Sequence, residues 1–277
     1  MEKLRDTIRL DVLKTLKTMG YGHLGGALSI VELLAALYGS EMKFDAKNPS
    51  WEERDRLVLS KGHAGIALYA TLANAGFFPK DWLDTVNVGG TNLPSHPDRL
   101  KTAGVDVTTG SLGQGTSIAA GIAYGLKMKK SSAFTYLICG DGELNEGQCW
   151  EAFQFIAHNQ LDNCLVIIDE NKKQLDGRTK DILNPFDIQE KMRAFGFTTQ
   201  KVDGSDLSSI QKAIHELKQV KNSAIALVLD TTKGQGIPYF EELSDNHSVK
   251  FDNEENRLAL EKAIEELEVR INEQTNE

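Results

Sequence analysis

The sequence predicts an α/β fold of three layers, in which a parallel β-sheet is flanked by helices. Three short runs rich in β-branched or aromatic residues are continuously apolar, as strands covered on both faces are. These runs span residues 134–139, 164–168 and 224–229. Helical patterns at 148–158 and around 210–217 separate them. The alternation of strand and helix therefore predicts crossover connections and a parallel sheet.

Further helices are predicted before and after these units. Near the start of the chain, apolar residues recur at three- to four-residue steps, which predicts a surface helix. These residues are Leu4, Ile8, Val12, Leu16 and Met19. Ser29 and Glu32, followed by an apolar run to Tyr38, have the spacing of a capping box that opens a helix. Another helix is predicted over about 115–130, and the charged segment 253–277 predicts a terminal helix.

The composition indicates a soluble globular protein and excludes several other classes. Of the 277 residues, 40% are hydrophobic and 26% are charged, which argues against collagen-like and disordered chains. The formal net charge of −9 gives no support to a basic, nucleic-acid-binding face. No run of about 18 apolar residues is present, and the start of the chain lacks a signal-peptide core. We therefore expect neither nucleic acid nor a membrane among its partners.

Cysteine usage and the absence of linkers predict the location and the domain organisation. Cys139, Cys149 and Cys164 form no C-x-x-C pair, which is typical of reduced, buried thiols in the cytoplasm. No internal repeat, low-complexity block or linker rich in Pro and Ser interrupts the chain. Because single α/β domains often reach roughly 250 residues, we expect one domain over 1–277 with a helical tail from about 253.

Oxygen-bearing side chains follow two of the predicted strands at the point where each strand ends. Asp141 comes after the first run, between two glycines, and Asn171 comes after the second. Because ligands gather at the carboxyl ends of parallel strands, these side chains are expected to share one crevice. Carboxylate and amide oxygens suit Mg²⁺ or Ca²⁺, with phosphate oxygens completing the shell. The alternative interpretation is that both are ordinary turn residues that close strands.

Four of the six histidines lie beside Gly, Pro or Asn in loop-like contexts. They are His23, His63, His96 and His247. Histidine is suited to hydrogen bonding with phosphate or sugar hydroxyls and to proton transfer near neutral pH. The alternative for each, taken singly, is an ordinary loop residue. His158 and His215 fall on predicted helices and are assigned no functional role, and no histidine pair has the spacing of a zinc-binding helix.

Two common nucleotide-binding motifs are absent. Residues 110–115 have the order G-x-x-G-x-G, which does not match the G-x-G-x-x-G fingerprint of dinucleotide-binding folds. No G-x-x-x-x-G-K-[ST] segment occurs either, which argues against a P-loop NTPase.

Six segments, in this order, resemble the thiamine diphosphate-binding half of transketolases. They span residues 22–23, 60–63, 95–99, 109–115, 140–147 and 169–172. The resemblance extends from residue 20 to about 250, which is nearly the whole chain. It implies the thiamine diphosphate-binding fold in the form of its pyrophosphate-binding domain. It also implies thiamine diphosphate and Mg²⁺ as cofactors, with Ca²⁺ or Mn²⁺ as substitutes for the metal.

The resemblance implies roles for individual residues. Asp141, Asn171 and the backbone carbonyl of Lys173 would hold the metal ion. His63 and His247 would contact the diphosphate. The residues implied in cofactor binding are His63, Gly110, Leu112, Gly140, Asp141, Gly142, Glu143, Asn171 and His247. The residues implied in catalysis are His23, His96, His247 and Glu146, and the three histidines would line a substrate channel.

Two glutamates match positions at the subunit interface of the family. Glu146 and Glu151 would belong to a chain of carboxylates that links two active sites. The alternative interpretation is an exposed helix face, because acidic residues are favoured near the start of a helix.

The resemblance also implies a missing half. Nothing after residue 250 could supply the pyrimidine-binding domain, so the chain resembles the N-terminal subunit of a split transketolase. With a C-terminal partner subunit in an α2β2 assembly, it would transfer a two-carbon ketol unit from a ketose phosphate to an aldose phosphate. We expect activity only in the presence of that partner.

Alternatives remain open at this point. The run after His247, Ser248 to Phe251, departs from the pattern of the family, so the rim of the substrate channel is expected to differ. Pentose phosphate interconversion is the leading interpretation, with a branched or sulfonated sugar as an alternative. The chain is alternatively half of another thiamine enzyme, or a non-catalytic binding module with the same fold.

Overall fold

A five-stranded parallel sheet forms the centre of the computed structural model, which describes residues 1–276 and, at Asn276, only the backbone. The order of its strands is β2-β3-β4-β8-β7. The strands along the described chain are β1 (Tyr21–Gly22), β2 (Arg56–Leu59), β3 (Thr135–Gly140), β4 (Cys164–Glu170), β5 (Lys173–Gln174), β6 (Gly177–Arg178), β7 (Phe197–Asp203), β8 (Ala224–Asp230) and β9 (Val249–Lys250). The three predicted apolar runs are the central strands β3, β4 and β8, which confirms the predicted parallel α/β sheet.

Two layers of helices cover the sheet. The helices are α1 (Glu2–Met19), α2 (Gly25–Leu28), α3 (Val31–Ala36), α4 (Gly65–Asn74), α5 (Gln114–Met128), α6 (Gly147–His158), α7 (Thr179–Ile182), α8 (Ile188–Ala194), α9 (Leu207–Gln219), α10 (Pro238–Glu242) and α11 (Glu254–Asn276). Helices α5, α6 and α8 pack on one face, and α1, α3, α4, α9 and α11 pack on the other. Successive residues of β4 alternate between the two cores, with Leu165 in one and Val166 in the other. The three-layer prediction is therefore confirmed.

Two strands of the sheet were not predicted, for different reasons. Strand β2 has only four residues, which is too short for a periodic signal to emerge. Strand β7 lies at the edge of the sheet beyond β8, and most of its residues are only partly buried or exposed. An edge strand needs no continuous apolar run, so β7 carries little sequence signal.

Most of the predicted helices are present, but the capping box is wrong. Helix α3 begins at Val31 after Ile30, and no side chain caps it. The Ser29 hydroxyl instead donates to the buried Asp169, and the Glu32 carboxylate pairs with Arg9. Tertiary partners therefore take both groups that a capping box would use. The predicted first helix is α1 and the predicted terminal helix is α11, although Glu277 lies outside the described residues.

Two further sequence expectations concern the cysteines and the membrane. Cys139, Cys149 and Cys164 are buried free thiols, as predicted, and burial raises the pKa of each. Within residues 1–276, no helix has the length and apolar character needed to cross a bilayer.

Two short antiparallel pairs lie outside the main sheet. Strand β1 pairs with β9, so that Gly22 faces Val249. Strand β5 pairs with β6, so that Lys173 faces Arg178. The β1–β9 pair involves the run after His247 that departs from the family pattern, and it brings the segments around His23 and His247 together. The β5–β6 hairpin follows β4 directly and extends past its carboxyl end.

Candidate active site

A cavity of about 460 Å³ lies at the carboxyl edge of the sheet. All the residues implied in catalysis, cofactor binding and metal binding line it. They are His23, His63, His96, Gly110, Leu112, Gly140, Asp141, Gly142, Glu143, Glu146, Asn171, Lys173 and His247. These residues come from segments spread over most of the chain. The fold therefore brings the whole predicted set into one place, while His158 and His215 lie exposed on helices away from it.

Asp141 and Asn171 share this cavity because their strands are neighbours. Strands β3 and β4 pair in register, with Gly140 opposite Asp169, so the residues that follow them lie side by side. The Asp141 side chain is buried, and its two oxygens accept hydrogen bonds from the backbone N–H groups of Gly142 and Lys172, each at 2.8 Å. Burial, assisted by the nearby Asp169 carboxylate, raises the pKa of Asp141 to about 7. Its negative charge therefore has less compensation than a buried carboxylate requires.

Asp169 fixes the orientation of Asn171. The Asn171 Nδ2 atom donates to Asp169 Oδ2 at 2.7 Å, which leaves Oδ1 as the free acceptor end of the amide apart from a 3.2 Å contact with the N–H of Lys173. An oxygen beside the Asp141 carboxylate is the donor set that a hard divalent cation prefers. The side chains present therefore fit Mg²⁺.

Asp169 is itself held by a buried cluster. The Lys61 ammonium lies 2.6 Å from its Oδ2, and the hydroxyls of Ser29 and Thr231 also donate to it. Burial opposes ionisation of Asp169, but Lys61 and these hydrogen bonds outweigh that effect and lower its pKa. Both charged groups are almost fully buried, so neither can move to water. The cluster is a rigid support for Asn171.

The four histidines form a compact group in the cavity. The ring centroid of His23 lies 5.7 Å from that of His63, 5.9 Å from that of His96 and 5.3 Å from that of His247. The rings of His63 and His247 are 5.0 Å apart.

Burial keeps these histidines neutral. It is the main reason that the pKa of His63 falls to about 2, with the positive charge of Lys61 adding to the effect. Burial and Lys233 lower the pKa of His247 to about 4. The pKa values of His23 and His96 are also lowered, mainly by burial. At neutral pH each ring therefore offers one N–H donor and one acceptor nitrogen.

Glycines allow the close packing of the cavity wall. A Cβ atom at Gly142 would lie 2.7 Å from the Cβ of Gln174 on β5. A Cβ atom at Gly62 would lie 2.8 Å from the backbone nitrogen of Gly110. Any larger residue at either position would push apart segments that line the cavity.

Glu143 holds the cavity wall together from inside. Its side chain is buried and accepts hydrogen bonds from Ser60 and from the backbone N–H groups of Gly113 and Gly140. The N–H of Gly113 lies at 2.8 Å and that of Gly140 at 3.1 Å. This carboxylate therefore ties the loop before α5 to the end of β3.

Sequence reasoning assigned no role to two lysines of the cavity. Lys61 lies within a predicted segment, but only the structure shows its buried ion pair with Asp169. Lys233 follows β8, and its Nζ lies 3.1 Å from His247 Nδ1 and 3.2 Å from the carbonyl of Gln174. Burial, with the charge of Lys61, lowers the pKa of Lys233 to about 8. Its position directly after a buried strand, followed by glycine, was the available signal.

Glu146 and Glu151 lie on the open side of the cavity. Glu146 precedes α6 at the rim, and both side chains are exposed. This placement is compatible both with an interface and with an ordinary helix face, so the carboxylate chain stays a prediction.

Known proteins resemble this chain over most of its length. Residues 1–266 match the family model described as the transketolase, thiamine diphosphate-binding domain. A 6-deoxy-6-sulfo-D-fructose transketolase subunit SqwG from Clostridium sp. (strain MSTE9) is 46% identical over 250 residues, which cover 90% of each chain. One of the two subunits of an apulose-4-phosphate transketolase from Actinobacillus succinogenes is 39% identical, and the match covers 88% of each chain.

Solved structures resemble the chain as well. The transketolase from Leishmania mexicana superposes with a TM-score of 0.79 at 29% identity, and the match covers 99% of this chain and 46% of that one. The transketolase from Campylobacter jejuni superposes with a TM-score of 0.83 at 26% identity, covering 100% and 48%. The chain therefore spans about half the length of the solved transketolases that it matches.

Proposed function

We infer the function from one premise: the chain belongs to the transketolase family, as its thiamine diphosphate-binding domain. We propose that it is the N-terminal subunit of a split transketolase. One observation carries the proposal, namely that every residue implied in the chemistry lines a single cavity, with Asp141 and Asn171 at the ends of neighbouring strands.

The metal site is proposed from the donor atoms that the chain offers. Asp141, Asn171 and the backbone carbonyl of Lys173 would hold Mg²⁺, with Ca²⁺ or Mn²⁺ as substitutes. The fit rests on the undercompensated charge of Asp141 and on the amide of Asn171, which Asp169 holds with its oxygen free. A divalent cation would supply the compensation that the buried carboxylate lacks.

The cofactor would supply the chemistry, and the chain would supply its position. When bound, thiamine diphosphate provides the nucleophilic carbon and the electron sink for breaking and forming a carbon–carbon bond. His63 and His247 would donate hydrogen bonds to the diphosphate, and Lys233 adds a positive charge beside them. Gly142 leaves room for close approach of the backbone.

The wall of the cavity would also shape the cofactor site. Gly110 would accept a hydrogen bond from the aminopyrimidine, and Leu112 would pack against the ring system. Gly140 and Glu143 belong to the same wall, where Glu143 holds the loop before α5 in place.

The neutral histidines would bind the sugar. His23 and His96 lie beside His247, and together they would hydrogen-bond to the hydroxyl groups of the donor. A neutral imidazole can both donate and accept a proton, so it can follow the charge on a substrate oxygen as that charge changes. The removal of these rings from water strengthens each hydrogen bond that they make.

A partner chain would complete the enzyme. The solved transketolases are about twice as long as this chain, and the relatives named above are described as subunits. We propose a C-terminal subunit that carries the pyrimidine-binding domain, in a cytoplasmic α2β2 assembly, with Glu146 at the interface.

The substrates are proposed to be sugar phosphates. Pentose phosphate interconversion is the general activity of the family. The relatives named for 6-deoxy-6-sulfo-D-fructose and for apulose-4-phosphate favour a second candidate, a sulfonated or branched sugar as the donor. Both candidates use the same cofactor site and differ only in the sugar.

The test is ketol transfer measured with this chain alone and with the candidate partner. We expect activity only in the mixture that contains Mg²⁺ and thiamine diphosphate, and we expect Asp141→Ala to abolish it. Asp84→Ala, at an exposed carboxylate outside the cavity, is the matched control. Parallel assays with a pentose phosphate and a sulfonated ketose decide between the donors. Robust turnover by the chain alone would refute the split site, and a partnered mixture that is inactive on every sugar would favour a non-catalytic module.

A further inference from the structure

A second cavity, of about 430 Å³, lies beside the candidate active site. The two cavities share a wall made of Asp141, Asn171, Lys173 and Lys233. On the other side of this wall, the second cavity is lined by residues that do not reach the first. They include Lys172, Arg178, Lys180, Phe186, Thr231 and Thr232. None of the four histidines lines the second cavity, so it is a separate space.

This cavity lies where the connections of the sheet diverge. Strands β4 and β8 are adjacent and parallel. After β4 the chain leads to α8 on one face of the sheet, and after β8 it leads to α10 and α11 on the other. Such a divergence leaves a crevice outside the carboxyl ends of the two strands, and crevices of this kind are common ligand sites in α/β proteins. The ends of β4 and β8 both contribute to the cavity wall.

The cavity concentrates positive charge in an acidic protein. The β5–β6 hairpin places Lys173 directly opposite Arg178, an arrangement of like charges that destabilises a strand pair. In the described part of the chain, the side chains of Arg178 and Lys180 form no hydrogen bond or ion pair. Lys172 pairs with Asp230.

Few carboxylates offset this charge. Glu170 lines the cavity but is paired with Lys201. Asp141 belongs to the shared wall and accepts backbone hydrogen bonds. The two unpaired cations, Arg178 and Lys180, therefore have no acidic partner within the cavity that is free to neutralise them.

We propose that this cavity binds a small organic phosphate, with the phosphate group between Arg178 and Lys180. The guanidinium fork matches tetrahedral oxyanions, and the lysine adds a point charge. Bound phosphate would also relieve the repulsion between Lys173 and Arg178. Phe186, which is 74% exposed at this cavity, offers an apolar surface to the organic part of the ligand. The proposal goes beyond the ketol-transfer function and does not depend on it.

The test is titration of the cofactor-free chain with inorganic phosphate at low ionic strength, followed by calorimetry. We expect millimolar binding, and we expect Arg178→Gln combined with Lys180→Gln to weaken it by about tenfold. Lys129→Gln removes an exposed cation outside the cavity and should leave the affinity unchanged. His63→Gln alters the candidate active site and should leave this binding event within about twofold of the parent.

Three outcomes would overturn the proposal. The first is the absence of phosphate binding by the parent at millimolar concentration. The second is a double variant that binds as the parent does while His63→Gln does not, which would assign all binding to the candidate active site. The third is an equal loss in Lys129→Gln, which would indicate nonspecific charge attraction. Both side chains of the double variant are exposed, and equal melting temperatures would verify its fold.

Discussion

Replacing Asp141 by asparagine is expected to make the cofactor-free chain more stable and to remove its response to cofactor. The pKa of this carboxyl is about 7 in the folded chain, compared with 3.8 for an unperturbed group. The folded state therefore holds the proton more tightly than the unfolded state does. As pH rises from about 4 through 7, ionisation of Asp141 progressively destabilises the folded state.

The size of the effect follows from two opposing quantities. A pKa difference of about 3 corresponds to a cost of about 4 kcal/mol once the group is ionised. Asparagine avoids that cost but has only one acceptor oxygen, whereas the two oxygens of Asp141 accept from Gly142 and Lys172. One backbone N–H then loses its acceptor, at a cost of about 1–3 kcal/mol. The expected net gain in the free energy of unfolding is about 2 kcal/mol at about pH 8, and roughly 1 kcal/mol less at about pH 6.

Urea unfolding followed by circular dichroism measures both quantities. Asp84→Asn, at an exposed carboxylate, is the control and should change the free energy of unfolding by less than about 0.5 kcal/mol. Saturating Mg²⁺ and thiamine diphosphate should then raise the unfolding midpoint of the parent and the control, but not that of Asp141→Asn. A variant that is less stable than the parent by the same amount at both pH values would refute the reasoning, because the charge of Asp141 would then carry no cost.

Three further predictions follow from the cavity wall. Asp169→Asn leaves the Lys61 ammonium buried without a carboxylate, so the free energy of unfolding should fall by about 3–5 kcal/mol in urea titrations; a loss below about 1 kcal/mol would contradict the buried pair. Gly142→Ala should weaken thiamine diphosphate binding in the partnered enzyme by about tenfold, whereas Gly147→Ala, where a Cβ meets no atom within 4 Å, should not; equal affinities would disprove the close contact. His63 keeps a pKa of about 2 in the folded chain, so stability is lost as pH falls below about 6.5, and His63→Asn should flatten that decline in unfolding curves; parallel curves would contradict this.

The central strands could be predicted because their environment is uniform. Strands β3, β4 and β8 are buried on both faces, so nearly every position must be apolar, and the signal is continuous. Strand β7 has a neighbour on one side only, and its polar residues satisfy a local environment that no periodic pattern describes. Sequence therefore predicts the middle of this sheet better than its edge.

The candidate site was predictable where its residues follow strands or form a family motif. Asp141 and Asn171 could be placed together because parallel strands end at one edge. The buried partners could not be predicted, because Lys61 meets Asp169 across 108 positions of the chain. The same long-range contacts explain the wrong capping box, since Ser29 is held by Asp169 across 140 positions. No local pattern records such pairings.

The Asp169 cluster also determines when the site can form during synthesis. Its members lie far apart along the chain, with Ser29 and Lys61 emerging from the ribosome well before Asp169 and with Thr231 emerging well after it. Until Thr231 arrives, the carboxylate that orients Asn171 lacks one of its hydrogen bonds, and β4 lacks its neighbour β8. A nascent chain therefore cannot capture its cofactor before β8 has left the exit tunnel.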